Sequence, residues 1–135
     1  MSSARVLGAL WPPTPEKVLA YIWRRANRVS PEIWALSCEV YAAFMPVGEE
    51  GEKARKRVYE ILRGLRALGL VEMNYVDYAD RRGVPWFTHP AYRVTPKGMA
   101  YLAVFGREIL TEEELGEMLR NPEVRKIINA ARLSP

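Results

Sequence analysis

Four times before the last two residues of this chain a helix-capping residue stands directly before a proline: Thr14-Pro15, Ser30-Pro31, Thr95-Pro96 and Asn121-Pro122. Such a pair is a strong local constraint. The side-chain oxygen accepts a hydrogen bond from an early helical N–H, and proline fits the first helical turn because it has no N–H to leave unpaired there. Proline also disfavours helix in the residue before it, so each pair marks a start. Glu16 and Glu32 then fall in a first turn, facing the positive end of the helix dipole. The chain is thus divided into short helices, and one long helix or coiled coil is excluded.

The segments between these starts carry helical periodicity. From Thr14, the residues Val18, Leu19, Ile22, Trp23 and Ala26 share one stripe. A second helix is expected to open at Ser30 and to run through Ile33, Leu36, Val40, Tyr41 and Phe44 until Pro46 ends it. Residues 46–52, rich in proline and glycine, read as a turn. A third helix is expected over Glu52–Leu68, closed by Gly69. At 100° per residue, Ala54, Val58, Ile61, Leu62, Leu65 and Leu68 fall in one arc, and Lys53, Lys56, Arg57 and Arg63 fall opposite, with Arg55 and Arg66 at the border. The spacing therefore predicts a helix with a core side and a cationic side. Residues 70–78 alternate as a strand, ADRRG reads as a turn with Arg81 and Arg82 at its tip, and 91–94 is the expected return strand. The two prolines in VPWFTHP argue for an irregular extension there rather than strand. Beyond it come a helix from Thr95 through Met99, Leu102 and Phe105, a capping box at Thr111, and a last helix carrying Val124, Ile127, Ile128 and Ala131.

The fold class that follows is mainly α with a small β-hairpin: a three-helix core plus hairpin, and additional C-terminal helices. At 135 residues one domain is expected, organised as an N-terminal extension (1–13), a main unit (14–105) and a C-terminal helical tail (106–135). A single cysteine, Cys38, cannot close an internal disulfide and lies in a segment with the apolar Ala35, Leu36 and Val40, which points to a reducing cytoplasmic setting. The opening apolar run is broken by Pro12 and Pro13 before it reaches the length of a signal-peptide core, and no segment is long enough to span a bilayer, so no membrane partner is expected. The absence of glutamine and the preference for arginine over lysine are compatible with a heat-adapted source.

Two stretches carry a family resemblance. RVYEILRGLRALGLVEM, ending in the pattern L..LGLV, and YRVTPKGMAYL, with the pattern Y.VT.KG...L, resemble the third helix, second wing strand and following helix of winged helix-turn-helix domains of MarR-like and PadR-like regulators. The same third-helix run followed by RRG is also similar to the C-terminal winged-helix domain of archaeal origin-recognition initiators. The chain has no G-x-x-x-x-G-K-[ST] phosphate loop, so the ATPase part of such an initiator is missing. The stretch PVGEEGEK is longer than the tight turn usual between the second and third helices. The resemblance spans residues 14–105 and implies a double-stranded DNA-binding protein, a transcriptional regulator that reads the major groove with helix 52–68 and the flanking groove or backbone with wing 70–95.

The residues agree in their chemistry. From Lys53 to Arg66 there are six basic residues and one acid, Glu60, and in a major groove such side chains reach phosphates and base edges. Lys53, Arg55, Lys56, Arg57, Tyr59 and Arg63, with Arg81 and Arg82 on the wing, are the candidate DNA-binding residues. A basic arc alone is more often the solvated side of a helix; a second positive site at the wing tip tips the balance. The formal net charge of +4 and pI near 9.4 are mild and become informative only through this clustering. Tyr75, Tyr78, Trp86, Phe87 and Tyr92 gather in the hairpin, as a small core beneath it or as stacking surfaces for unpaired bases.

Catalysis is not expected. His89 is the one histidine, no His, Cys and carboxylate set has ligand spacing, and the acids of TEEEL are explained by helix capping. No cofactor, metal or small-molecule substrate is implied. A homodimer is expected because operators of such regulators are commonly two-fold and because Leu115, Met118, Leu119, Val124, Ile127 and Ile128, with the N-terminal VLGALW, lie outside the three-helix core; the alternative for the same segments is to fold back on their own domain. A replication-type origin reader, or a winged helix used as a protein-interaction module, are the alternatives.

Overall fold

The computed structural model describes residues 12–44, 50–79, 83 and 85–133. The chain runs α1 (Pro15–Ile22), β1 (Ala35–Leu36), α2 (Ser37–Phe44), α3 (Glu50–Ala67), β2 (Val71–Ala79), β3 (Pro85–Val94), α4 (Pro96–Phe105), α5 (Glu112–Leu119) and α6 (Pro122–Leu133). The three strands form one antiparallel sheet in the order β1-β3-β2.

The local start signals act as expected at Thr14, Thr95, Thr111 and Asn121, whose Oδ1 accepts from Glu123 N–H at 2.9 Å. Thr14 accepts from Lys17 N–H at 3.2 Å, Thr95 accepts from Gly98 N–H at 3.0 Å, and Thr111 and Glu114 form a reciprocal capping box. The stripe of α1 is buried throughout, Trp23 included. After Ile22 the helix widens into a π-helical turn over Trp23–Asn27, and its end is fastened to the sheet. Asn27 Nδ2 donates to Val94 O at 2.8 Å, and Val94 N–H donates to Asn27 Oδ1 at 2.9 Å.

Ser30 is the exception. Its Oγ accepts from Glu32 N–H, but only a turn follows; Ala35 and Leu36 are strand, paired with Tyr92 and Ala91, and the second helix begins at Ser37 rather than Ser30. Long-range bonding overrides the cap here. The Arg93 guanidinium lies over the Trp34 ring, 5.9 Å from its centroid, and donates to Ser30 O at 2.8 Å and to Ile33 O. Those carbonyls would otherwise accept helical N–H groups.

The hairpin is also longer than periodicity indicated. β3 pairs with β2 from Val94 back to Pro85, through the VPWFTHP stretch, with an irregularity between Tyr78 and Ala79. Pro90 is tolerated opposite Tyr75 because β1 covers β3 only at Ala91 and Tyr92, leaving that side of the strand open at residue 90.

At its C-terminus α3 ends on Gly69, whose φ of +73° is left-handed backbone suited to glycine. Leu70 N–H then reaches back to Leu65 O at 2.9 Å. The remaining carbonyls are held from the start of α4: Thr95 Oγ1 donates to Gly69 O, Thr95 N–H to Leu70 O, and Lys97 Nζ to Leu68 O. A Cβ on Gly98 would meet Leu70 O at 2.0 Å, so α4 packs against this turn more closely than any side chain allows. The paired stretches LGLV and VTPKG thus build one joint between α3, β2 and α4.

The core gathers Leu19, Ile22, Phe44, Val58, Leu62 and Leu102, all almost wholly buried, and the C-terminal helices add Met118 to the same cluster. The tail therefore folds back on its own domain. Arg24 binds Glu114 through Nε at 2.6 Å and Nη2 at 3.0 Å, and Arg28 reaches Glu114 and Glu117, so α5 is fastened to the first helix by ions as well as by packing. Met118 and Val124 are buried in their own chain, as the fold-back alternative for this segment requires. Cys38 is exposed on α2. Among the described residues, no helix is long and apolar enough to cross a membrane.

Candidate nucleic-acid interface

Helix α3 is anchored by Ala54, Val58, Ile61, Leu62 and Leu65, all buried. Leu68, assigned to the same arc, is instead 60% exposed: it lies one residue past the last helical position, at the arc's edge. Anchoring this side turns the other outward. Lys53, Arg55, Lys56, Arg57, Arg63 and Arg66 are all exposed, and among the described residues none of them forms an ion pair. Glu52 and Glu60 are exposed on the same helix without neutralising them within ion-pair distance. The positive charge is therefore available to a partner.

The cations divide into three rows. Lys56 and Arg63, seven residues apart, point most directly away from the core. Arg55, Tyr59 and Arg66 form the flank toward α2 and β2. The Arg55 guanidinium lies 5.4 Å from the centroid of the Tyr41 ring, and Arg66 Nη1 donates to Met73 Sδ at 3.5 Å. Tyr41, Glu52, Arg55, Lys56 and Tyr59 line a shallow hollow of about 440 Å³ between α2 and α3. Arg57 lies on the opposite flank beside Glu60 and Gly64, in a groove next to Leu65, Leu68 and Tyr101. A Cβ at Gly64 would meet nothing within 4 Å, so this glycine answers no packing need in the free protein.

Aromatic rings accompany the charge. Tyr59 is 51% and Tyr75 61% exposed, and Arg63 lies over the Tyr59 ring at 5.8 Å. Guanidinium groups lying over tyrosine rings in this way are attracted by the ring face, which stiffens them without neutralising them. Burial pushes the phenols of Tyr41 and Tyr92 above their ordinary range, with the Arg55 charge pulling Tyr41 the other way and neighbouring tyrosines pushing Tyr92 further up. Both stay protonated and able to donate at neutral pH. Tyr92 belongs to the core, whereas the side chains of Tyr78, Trp86 and Phe87 lie outside the described set.

Of the residues expected at a DNA surface, Lys53, Arg55, Lys56, Arg57, Tyr59 and Arg63 thus share one exposed helix face, as a central row and two flanks. Arg81 and Arg82, expected at the wing tip, lie outside the described residues. Tyr41 joins the face without having been expected, and Tyr75, one of the hairpin rings read as core or stacking surface, is exposed. Tyr41 was read as a core position of its helix, and only the packing angle of α2 on α3 sets it beside Arg55. Among the described residues, no group of three or more His, Cys, Asp or Glu could hold a metal ion. No family model, curated protein or solved structure matches the chain.

Proposed function

We propose that this protein is a winged-helix protein that binds double-stranded DNA and acts as a transcriptional regulator, without catalysis and without a cofactor for binding. One observation carries the reading: six exposed basic side chains, none in an ion pair with a described residue, on the outer side of a helix whose inner side is fixed in the core and which is flanked by a two-stranded hairpin. The order α1, β1, α2, α3 and hairpin supports it, since a short strand between the first two helices and a three-stranded sheet suit such a domain. Lys56 and Arg63 face the groove floor, Lys53 and Arg57 one phosphate strand, and Arg55 and Arg66 the other. Phosphate contacts supply affinity, and two to four of these side chains read base edges. If two copies bind a two-fold site, they associate through surface other than Met118 and Val124, with the exposed Val104 and Phe105 of α4 available.

A second reading, single-stranded nucleic acid, is favoured by the exposed rings of Tyr59 and Tyr75. Fluorescence anisotropy of labelled duplex and single-stranded oligonucleotides over a salt series separates the two. The duplex is expected to bind more tightly, with log K falling, for each tenfold rise in salt, by about 0.9 per phosphate neutralised. Replacing Lys56, Arg57 and Arg63 by alanine together should reduce that slope by about 2 to 3. A flat salt response, or unchanged affinity in the folded triple variant, refutes the reading.

A further inference from the structure

We propose that the groove between α4 and α6 is a binding site for an amphiphilic anion, an apolar body bearing one carboxylate or phosphate head. The groove has a volume of about 590 Å³, within the ordinary range for a small-molecule site. Its floor includes Ala103, Leu119 and Ile128, and its rim carries Arg107, Arg125 and Arg132. No acidic side chain is among the described residues lining it. The rim arginines are exposed and form no ion pair with a described residue: Arg107 Nε donates to Ala103 O at 2.9 Å, and Arg125 Nη1 donates to Leu119 O at 3.3 Å. Arg132 makes no hydrogen bond with a described residue. Helical spacing explains the pattern. Arg125, Ile128 and Arg132 follow one another at three and four residues on α6, so two cations separated by roughly 10 Å flank one aliphatic side chain.

That geometry selects both halves of the ligand. A purely apolar molecule leaves the guanidinium groups unused, and a bare anion leaves the floor exposed, whereas an amphiphile meets both. A planar guanidinium fork suits carboxylate and phosphate alike. The apolar floor is only a few side chains long, which fits a single acyl or aryl body better than the extended stripe of a partner helix. The groove lies on the side of α4 away from Tyr101, which faces α3, and the proposal does not depend on nucleic-acid binding.

The test uses the full chain, ¹⁵N-labelled and titrated with octanoate, octyl phosphate, octanol and inorganic phosphate. Octanoate, octyl phosphate or both are expected to shift the amides of α4 and α6 saturably, with octanol and inorganic phosphate at least tenfold weaker. The tighter of the two amphiphiles identifies the head group. The double substitution R125Q/R132Q should weaken that ligand about tenfold or more while leaving the spectrum of α3 unchanged. Equal affinity for octanol, equal affinity for inorganic phosphate, unsaturable shifts over the whole surface, or full affinity in the folded double variant each overturn the proposal. So does saturable binding by an acidic amphipathic peptide alone, which would make the groove a protein-docking surface.

Discussion

Substituting Glu114 by glutamine should lower stability at neutral pH and do so much less in acid. The Glu114 side chain is 3% exposed and lies against Arg24 at 2.6 Å and Arg28 at 3.5 Å, while also accepting from Thr111 N–H at 2.9 Å. The bond from Arg24 is the main reason its carboxyl is held down at about 2 instead of 4.5; Thr111 N–H and the two guanidinium charges add to this, and burial opposes it. At 1.36 kcal/mol per pH unit such a depression corresponds to roughly 3 kcal/mol. Water screens part of this, because Arg24 and Arg28 are 36% and 37% exposed, so about 2 kcal/mol is the working figure. Glutamine keeps the amide oxygen for Thr111 N–H, so the capping box survives and the loss is one of charge. With an unfolding entropy of about 2.1 cal/mol/K per residue, the thermal midpoint should fall by about 7 °C. The folded pKa lies below the unfolded one. The stabilisation is therefore complete above the unfolded pKa of about 4.5 and is lost as pH falls toward 2, with about two-fifths left at pH 3. Circular-dichroism melts of both proteins at pH 7 and pH 3 measure this. A gap under about 2 °C at pH 7, or a gap of equal size at both pH values, would refute the ion-pair account.

Two glycines provide opposite tests alongside the duplex and amphiphile titrations. Gly64→Ala, in the middle of α3 with nothing within 4 Å of its Cβ, should gain about 0.8 kcal/mol, or about 3 °C in midpoint; a lower midpoint would mean the site is not open. Gly98→Ala must displace the Leu70 carbonyl, 2.0 Å from the new methyl, and should cost at least about 2 kcal/mol. A midpoint like that of the unsubstituted protein would deny the close contact of α4 with the α3 turn.

What could be read from the sequence is what depends on neighbours within a turn. Thr14, Thr95 and Thr111 cap because the N–H groups they serve are three residues away, and the buried face of α3 follows from the spacing of Val58, Ile61, Leu62 and Leu65. Ser30 carries the same signature and starts no helix, because Ala35 and Leu36 pair with a strand more than fifty residues later and Arg93 takes the nearby carbonyls. Pro90 was legible as a strand breaker but not as a residue facing an open edge, since that depends on where β1 stops. The outward face of α3 was legible for the same reason as its inner one. Tyr41 beside Arg55, and the α4–α6 groove, were not, because each needs the angle between two helices that no local pattern records.

The net charge understates what this chain presents, because some of its basic residues are consumed internally and others are not. Arg24, Arg25 and Arg28, at the end of the first helix, meet Glu39, Glu113, Glu114 and Glu117 and are consumed in holding α2 and α5 to that helix. Helix α3 carries six basic residues against three acids, Glu50, Glu52 and Glu60, and its described acids sit within the basic row without pairing to it. Since charges more than about 10 Å apart are largely screened at ordinary salt, the field near α3 is set by that helix and not by the chain's total. Moving acids is therefore the sharper perturbation of function. A glutamate placed at Gly64, one turn from Glu60 and beside Arg63, would leave the core untouched while reducing the field that the duplex reading requires, so it should weaken duplex binding without lowering the thermal midpoint.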